Sequence, residues 1–166
     1  MITTQEQYID YTSTQNGVKE HQKEIKEWNK ALIARFPWLR PNSLEEDDYC
    51  FTYLDDMPIG WYRTFGVQMC EEIQAVLEKY GVVDRYEIVQ VKEKYGGLRW
   101  YDYPPQECWK EIADITSKYE HMSEYICCEC GKPANWISEG WICPYCDDCK
   151  EKFEIKGGKF KPMEKN

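Results

Sequence analysis

Four cysteines in the C-terminal part of the sequence have the spacing of a tetrahedral metal site. They form two C-x₂-C pairs, Cys127 with Cys130 and Cys146 with Cys149, and fifteen residues separate the pairs. Each pair places two thiolates on one tight turn, and zinc prefers four soft donors in a tetrahedral arrangement. Gly131, directly after Cys130, lets the first turn bend sharply. The pattern therefore predicts one bound zinc ion in a zinc-ribbon-like pair of knuckles.

Other cysteines and one histidine leave alternative ligand sets open. Cys128 or Cys143 could each replace a neighbour in the set, and His121 is close enough in sequence to do the same. We favour the outer cysteines because the first pair has knuckle spacing, and because residues 140–142 are expected to form a strand that leads into the second pair. A redox dithiol is the rival use of C-x₂-C, but two pairs at ribbon spacing favour a metal.

The predicted ligand set also indicates what the metal does. A catalytic zinc keeps one coordination position open for water, whereas four thiolates fill the shell. The chain has only two His, and it lacks the phosphate-loop, dinucleotide-binding, metalloprotease and nucleophile-elbow motifs. We therefore predict a structural zinc and no enzyme activity. A metal-dependent hydrolase using clustered carboxylates is the least favoured alternative.

Cysteine usage and hydropathy indicate a compartment. Nine Cys is an odd number, and the first residues lack the basic-then-apolar pattern of a secretion signal. This combination disfavours a disulfide framework and predicts a reducing cytoplasm. No apolar run approaches the roughly 20 residues that cross a bilayer, so no membrane association is expected.

The net charge of −9 is unevenly distributed. Residues 1–125 contain 14 basic and 23 acidic side chains, whereas residues 126–166 contain 7 of each. An acidic body repels phosphates, which disfavours nonspecific nucleic-acid binding by the main domain. The stretch 150–165 has six Lys and three Glu. It could contact a phosphate backbone, although a solvated tail is the simpler interpretation.

Periodicity predicts three helices and a hairpin. Apolar residues recur at helical spacing over residues 25–36, from Thr64 to Tyr80 and over residues 108–122. Pro37 and Gly81 are expected to end the first two helices.

Two segments rich in β-formers, residues 86–93 and 98–103, flank Gly96-Gly97. This pair suits a tight turn, so the two segments are predicted to form a hairpin. In a third segment, residues 49–54, aromatic and smaller side chains alternate, which predicts another strand with one aromatic face.

An acidic and aromatic segment lies between Arg40 and Arg63, where no other basic residue occurs. Aromatic side chains are common at recognition surfaces. We predict this segment to be the partner-binding surface, formed by Glu45, Glu46, Asp47, Asp48, Tyr49, Phe51, Tyr53, Asp55, Asp56 and Trp61.

The predicted fold is α+β, with a small antiparallel sheet, two to three helices and the C-terminal knuckle pair. The expected organisation has four parts. A loose N-terminal arm covers residues 1–17, an acidic α+β domain 18–125, a zinc-binding module packed on it 126–150, and a polar tail 151–166.

Several motifs resemble those of a group of small proteins encoded by bacteriophages and prophages. The resemblance covers roughly residues 28–149 and includes the run VKEKYGGLRWY at Val91–Tyr101, the cysteine segments, LDDMPxGW at Leu54–Trp61 and FGxQMCEEI at Phe65–Ile73. It implies a phage or prophage setting and knuckles at the two outer pairs, with the two extra cysteines at variable positions. It implies no particular reaction.

Two binding functions are consistent with these features. The first is a non-enzymatic accessory protein that binds a host or phage protein and inhibits a host defence or regulatory factor by presenting acids where nucleic acid would bind. The alternative is a nucleic-acid-binding zinc-ribbon module, in which Lys156, Lys159 and Lys161 contact the phosphate backbone.

Overall fold

The computed structural model describes residues 26–41 and 50–164. Within them the chain has the predicted α+β architecture. Helices pack against a two-stranded antiparallel sheet, and a three-stranded sheet accompanies the cysteine segment. The predicted fold class is therefore confirmed.

The first helical segment forms where the apolar spacing predicts it. Residues 26–35 are helical (α1), and a 3-10 turn follows at Pro37–Leu39. Leu32 and Phe36 are buried in the core, while Trp28 donates a hydrogen bond to the hydroxyl of Tyr62. Helix α1 is therefore attached to the long helical segment through both apolar and polar contacts.

The strand predicted over residues 49–54 is wrong for the part that the structure describes. Cys50 has a φ of 50°, in the left-handed region, which a regular strand cannot contain. Tyr53–Asp56 then forms a 3-10 turn. Asp55 Oδ2 accepts hydrogen bonds from the Thr52 amide (2.7 Å) and the Thr52 hydroxyl (3.1 Å). These local bonds replace a strand ladder at this point.

The central helical segment begins earlier than predicted. A helical turn at Ile59–Trp61 (α2) continues through a π-helical turn at Tyr62–Gly66 into Val67–Tyr80 (α3). The Thr64 hydroxyl, in the π-helical turn, donates to the Gly60 carbonyl at 2.7 Å. Gly81, at φ 67°, ends the segment as predicted, and its N–H donates to the Glu78 carbonyl.

The predicted hairpin is present, with its turn one residue earlier than expected. Glu87–Lys94 (β1) pairs with Gly97–Tyr103 (β2), and a bulge interrupts the register between Ile88 and Gln90. The two-residue turn is therefore Tyr95-Gly96, and Gly97 lies within the ladder. Val91, Leu98 and Trp100 face the core.

Helix α4, Trp109–Ser123, covers one face and one edge of the hairpin. The Ser123 hydroxyl accepts from the Leu98 amide, and Glu120 Oε1 accepts from the Trp100 amide, both at 2.8 Å. These side chains satisfy backbone donors that an edge strand would otherwise leave open. On its other side α4 packs on α3, where Tyr119 stacks on Phe65 at 5.3 Å between ring centroids.

The cysteine segment continues into a small sheet. Trp136–Ser138 (β3) lies between Pro144–Tyr145 (β4) and Phe160–Pro162 (β5), and Asp147–Glu154 (α5) joins β4 to β5. The strand predicted at residues 140–142 is wrong, because the strands lie on either side of that loop. The segment from residue 151, predicted to be a polar tail, supplies the end of α5 and all of β5.

Candidate metal centre

The four cysteines that the spacing selects meet at one point of the structure. The Sγ atoms of Cys127, Cys130, Cys146 and Cys149 all lie within 4.8 Å of one another. Cys130 Sγ and Cys146 Sγ are 3.5 Å apart. A tetrahedron with Zn–S bonds of about 2.3 Å has edges of about 3.8 Å. The donor set and its dimensions therefore fit a single zinc ion.

The first pair lies on a turn that backbone hydrogen bonds close. The Cys127 amide donates to the Lys132 carbonyl at 2.8 Å, and the Gly131 amide donates to the Cys127 carbonyl at 3.0 Å. Gly131 has a φ of 81°, which a residue with a side chain rarely adopts. This turn directs the side chains of Cys127 and Cys130 toward the same point.

The second pair lies at the start of helix α5. Cys146 is the residue before the first helical position, and Cys149 lies in the first turn. The backbone N–H groups of a first helical turn have no partner within the helix, and they favour negative charge. The start of the helix therefore favours the thiolate, the form that binds metal, and acts against the effect of burial on these thiols.

The charges around the thiols also suit a cation. Burial, together with the neighbouring cysteines, raises the pKa of the Cys149 thiol far above its usual range. Four thiols this close cannot all ionise without a positive charge among them, and a divalent ion supplies that charge. Lys132 and Asp148 form an ion pair at 2.6 Å between the two knuckles.

The arrangement indicates a structural role for the ion. Four thiolates complete a tetrahedral shell, so no position is left for a reacting water. Three of the four cysteines are buried, and Cys130 is half-buried. A zinc ion here would tie residues 127–130 to α5.

The extra cysteines and the histidine lie outside this group. Cys128 and Cys143 are buried in the main core. The hydrogen bond between their thiols is the main cause that raises the pKa of Cys128 far above its usual range, and burial is the second cause. His121 is exposed, with Nδ1 3.7 Å from Glu124 Oε2. Among the residues that the structure describes, no other set of His, Cys, Asp and Glu side chains has metal-site geometry.

The first knuckle is attached to the start of the central helical segment by two hydrogen bonds and one further polar contact. The Gly60 amide donates to the Cys128 carbonyl at 2.8 Å. The Trp61 indole donates to the Ile126 carbonyl at 2.8 Å, and the Thr64 hydroxyl contacts the Gly131 carbonyl at 3.3 Å. We call this contact the knuckle anchor, residues 60–64 against residues 126–131.

The knuckle anchor requires two glycines. A Cβ at Gly60 would lie 2.1 Å from the Cys127 carbonyl oxygen, and a Cβ at Gly131 would lie 2.2 Å from the Thr64 hydroxyl. Both distances are far below contact, and the first obstacle is backbone that cannot move aside alone. The Pro-x-Gly-Trp motif is the sequence signal for this anchor, but sequence reasoning did not assign it that role.

The predicted partner surface is changed by these observations. Trp61 was wrongly placed on it, because its side chain is 0% exposed and its indole bonds the knuckle. Asp55 is occupied by its bonds to Thr52 and to the Asn29 amide group (2.9 Å). Asp56 is exposed, and Phe51 and Tyr53 are half-buried. Glu45, Glu46, Asp47, Asp48 and Tyr49 lie outside the described residues.

Comparisons with protein-family models, with curated proteins and with solved structures find no match to this chain. The resemblance to phage and prophage proteins therefore stays a prediction from its motifs. In the described part of the chain, no helix has the length and apolar character needed to cross a bilayer.

We predict that the purified protein binds one zinc ion through the four clustered thiols. Cys127→Ser and Cys149→Ser should each lower the zinc content, because an alcohol is a much poorer zinc donor than a thiolate. Cys128→Ser and Cys143→Ser are the matched controls and should keep one ion per chain. Elemental analysis of the dialysed variants measures this directly. Equal loss in all four would contradict the ligand assignment.

We predict that Gly60→Ala destabilises the fold by about 1–3 kcal/mol, as overpacking of a closed contact does. Gly66→Ala, six residues further along the same helical segment, is the control, since its Cβ would make only ordinary contacts at 3.6 Å or more. That change should be neutral or stabilising, because Ala favours helix over Gly by about 1 kcal/mol. Denaturant unfolding of both variants with zinc present compares them. Equal stability would show that the anchor is looser than described.

Proposed function

We propose that this chain is a non-enzymatic accessory protein of phage type, which acts by binding a protein partner and uses zinc only to hold its scaffold together. The single observation that carries the scaffold role is the closed four-thiol group attached to the core by the knuckle anchor. A metal held in this way gives rigidity to the surfaces around it and offers no site for a substrate.

The ionisable groups of the core support a binding role over catalysis. Burial raises the pKa values of Tyr86 and Asp102, yet the Tyr86 hydroxyl donates to Asp102 Oδ2 at 2.6 Å and accepts from the Trp100 indole at 2.9 Å. Glu72 similarly accepts a hydrogen bond from the Tyr119 hydroxyl at 2.7 Å. These groups use their hydrogen-bonding capacity to join elements of the fold, so their pKa shifts have a structural explanation.

The placement of negative charge supports a protein partner. Asp56 is exposed. Burial is the main cause that raises the pKa of Tyr53, and the nearby charges of Glu87 and Asp56 raise it further. We call Asp56 and Glu87 the acidic end of the domain, and the acidic run Glu45–Asp48 precedes Asp56 in sequence. Such a surface suits a host protein with a basic, nucleic-acid-binding site, which the acids would occupy in place of phosphates.

We predict that neutralising this acidic end abolishes capture of the partner from nuclease-treated bacterial lysate. The test variant combines Glu45→Gln, Glu46→Gln, Asp47→Asn, Asp48→Asn and Asp56→Asn. It leaves Asp55 intact, because that carboxylate stabilises the turn at Thr52. The measurement is quantitative mass spectrometry of the proteins that the immobilised chain retains.

A control with the same loss of charge separates local from overall effects. Glu78→Gln, Asp114→Asn, Glu139→Gln, Glu151→Gln and Glu164→Gln remove five exposed charges elsewhere. A dominant host protein should be retained by the wild type and the control and lost by the test variant. If the test variant still retains the host protein, the acidic end does not bind it. If both variants lose the host protein, binding depends on the net charge of the chain and not on the acidic end.

A further inference from the structure

The outer face of the β1–β2 hairpin is mostly exposed, although Lys92 and Arg99 are half-buried and Glu124 lies beside Gly97, and its composition is unlike the rest of the acidic domain. In the register, Gln90 pairs with Tyr101, Lys92 with Arg99, and Lys94 with Gly97. Because side chains alternate along a strand, these pairs point away from the buried Val91–Trp100 pair. We call this surface the hairpin face: Lys92, Lys94, Tyr95, Arg99, Tyr101 and Tyr103.

Three tyrosine rings on the hairpin face lie in water. Tyr95 is 76% exposed, Tyr103 67% and Tyr101 42%. Tyr101 and Tyr103 follow each other on one side of a strand, about 7 Å apart along it. At the turn, the backbone at Gly96 lies close to Ile142, so that a Cβ there would be 3.2 Å from Ile142 Cγ2. The neighbouring Trp141 adds a fourth exposed ring near that end.

The cations of the hairpin face are not paired with carboxylates in the described part of the chain. Some lysines and arginines elsewhere do form such pairs, as in Arg35–Glu71 and Arg85–Glu107. Lys92, Lys94 and Arg99 form no such pair among the described residues. Lys92 Nζ instead bonds Gln90 Oε1 at 2.6 Å, and Arg99 Nη1 bonds the Leu98 carbonyl at 2.7 Å.

Two of these positive charges repel each other across the hairpin. Lys92 and Arg99 are directly opposite each other in the register, and like charges in that relation destabilise a sheet. Lys92 Nζ lies 5.4 Å from the Tyr101 ring centroid, and Lys94 Nζ lies 5.5 Å from that of Tyr95. Cations and rings therefore alternate along one face, in a chain whose net charge is −9.

The turn contains a strained aromatic residue. Tyr95 has a φ of 54° and Gly96 a φ of 82°, the pattern of a type I′ turn, whose first position favours Asn, Asp or Gly. A bulky residue at positive φ is an outlier, and the exposed ring gains little burial in return. Strain of this kind is often retained where a side chain serves a function. Here it displays a ring at the end of the hairpin face.

We propose that the hairpin face binds single-stranded nucleic acid. Unpaired bases stack on the tyrosine rings, and Lys92, Lys94 and Arg99 neutralise the phosphates between them. A duplex hides the base faces that these rings would contact, so the single strand is preferred. An acidic peptide would satisfy the cations but leave the exposed rings without flat partners. The cations of the hairpin face lie at the turn end of the hairpin, away from the acidic end proposed to bind protein, whereas Tyr103 lies opposite Glu87 in the register.

The test measures fluorescence anisotropy of labelled oligothymidine, a probe with little structure of its own, with the intact zinc-loaded protein. Three neutralised phosphates predict a log–log salt slope of about −2, and therefore roughly 20-fold weaker binding when salt rises from ~50 to ~200 mM. Tyr101→Ala and Tyr103→Ala should each weaken binding by about 5- to 150-fold, the range for loss of one stacked base. Lys92→Gln with Lys94→Gln should weaken binding and flatten the salt slope.

Tyr95→Asn separates function from folding. Asn-Gly is a favoured sequence for this turn, so the variant should raise the melting temperature while lowering oligothymidine affinity at least about 5-fold. A variant that becomes both more stable and a poorer binder cannot owe its loss to misfolding. Unchanged affinity would remove Tyr95 from the site.

Controls decide between the hairpin face and other surfaces. Trp109→Ala removes an exposed ring elsewhere, and Lys159→Gln with Lys161→Gln removes charge from the C-terminal segment. Both should leave binding unchanged. The proposal is overturned if oligothymidine does not bind at low salt, if duplex DNA binds equally well, or if polyglutamate competes equally. It is also overturned if only the Lys159/Lys161 variant loses binding.

Discussion

The whole structure depends on the knuckle anchor, the contact between the start of the central helical segment and the first cysteine turn. Gly60 donates to the Cys128 carbonyl while Trp61, which is fully buried, donates to the Ile126 carbonyl. The same segment continues into α3, which carries much of the core. A zinc ion that fixes the knuckle would therefore also fix the position of α3. Helix α4 packs against α3, and the hairpin packs against α4. Metal binding at the four thiols would therefore be coupled to packing of the core.

Charge in this protein is sorted by location. On the helices, several cations are matched by nearby carboxylates, as in Lys79–Glu111 and the contact of Lys118 with Glu72. Exposed pairs of this kind contribute little stability each. The acidic end near Asp56 and the cations of the hairpin face lie toward opposite ends of the hairpin, since Glu87 begins β1 and Lys94 ends it. One small sheet can therefore present surfaces of opposite sign to different partners.

The sequence was a good guide wherever short-range physics decides the structure. The C-x₂-C spacing identified the four cysteines that cluster, Gly81 marked a helix end, and alternation of β-formers located the hairpin. It failed where a long-range or local hydrogen bond prevails. Thr52 and Asp55 turn the chain where alternation predicted a strand, and Trp61 is buried by a segment far away in sequence. Alternation also could not show that the turn includes Tyr95, because steric rules favour Gly96-Gly97 there.

The knuckle anchor also affects when the protein can fold. Its polar contacts join residues that are 65 and 67 positions apart in sequence, Trp61 with Ile126 and Thr64 with Gly131. Contacts of such separation form slowly, because the intervening chain must be closed into a loop first. During synthesis the ribosome must also release Cys149 before all four thiols can meet. Helix α3 is therefore synthesised early. Its apolar face can be fully packed only after the downstream chain has been synthesised and the predicted metal has bound.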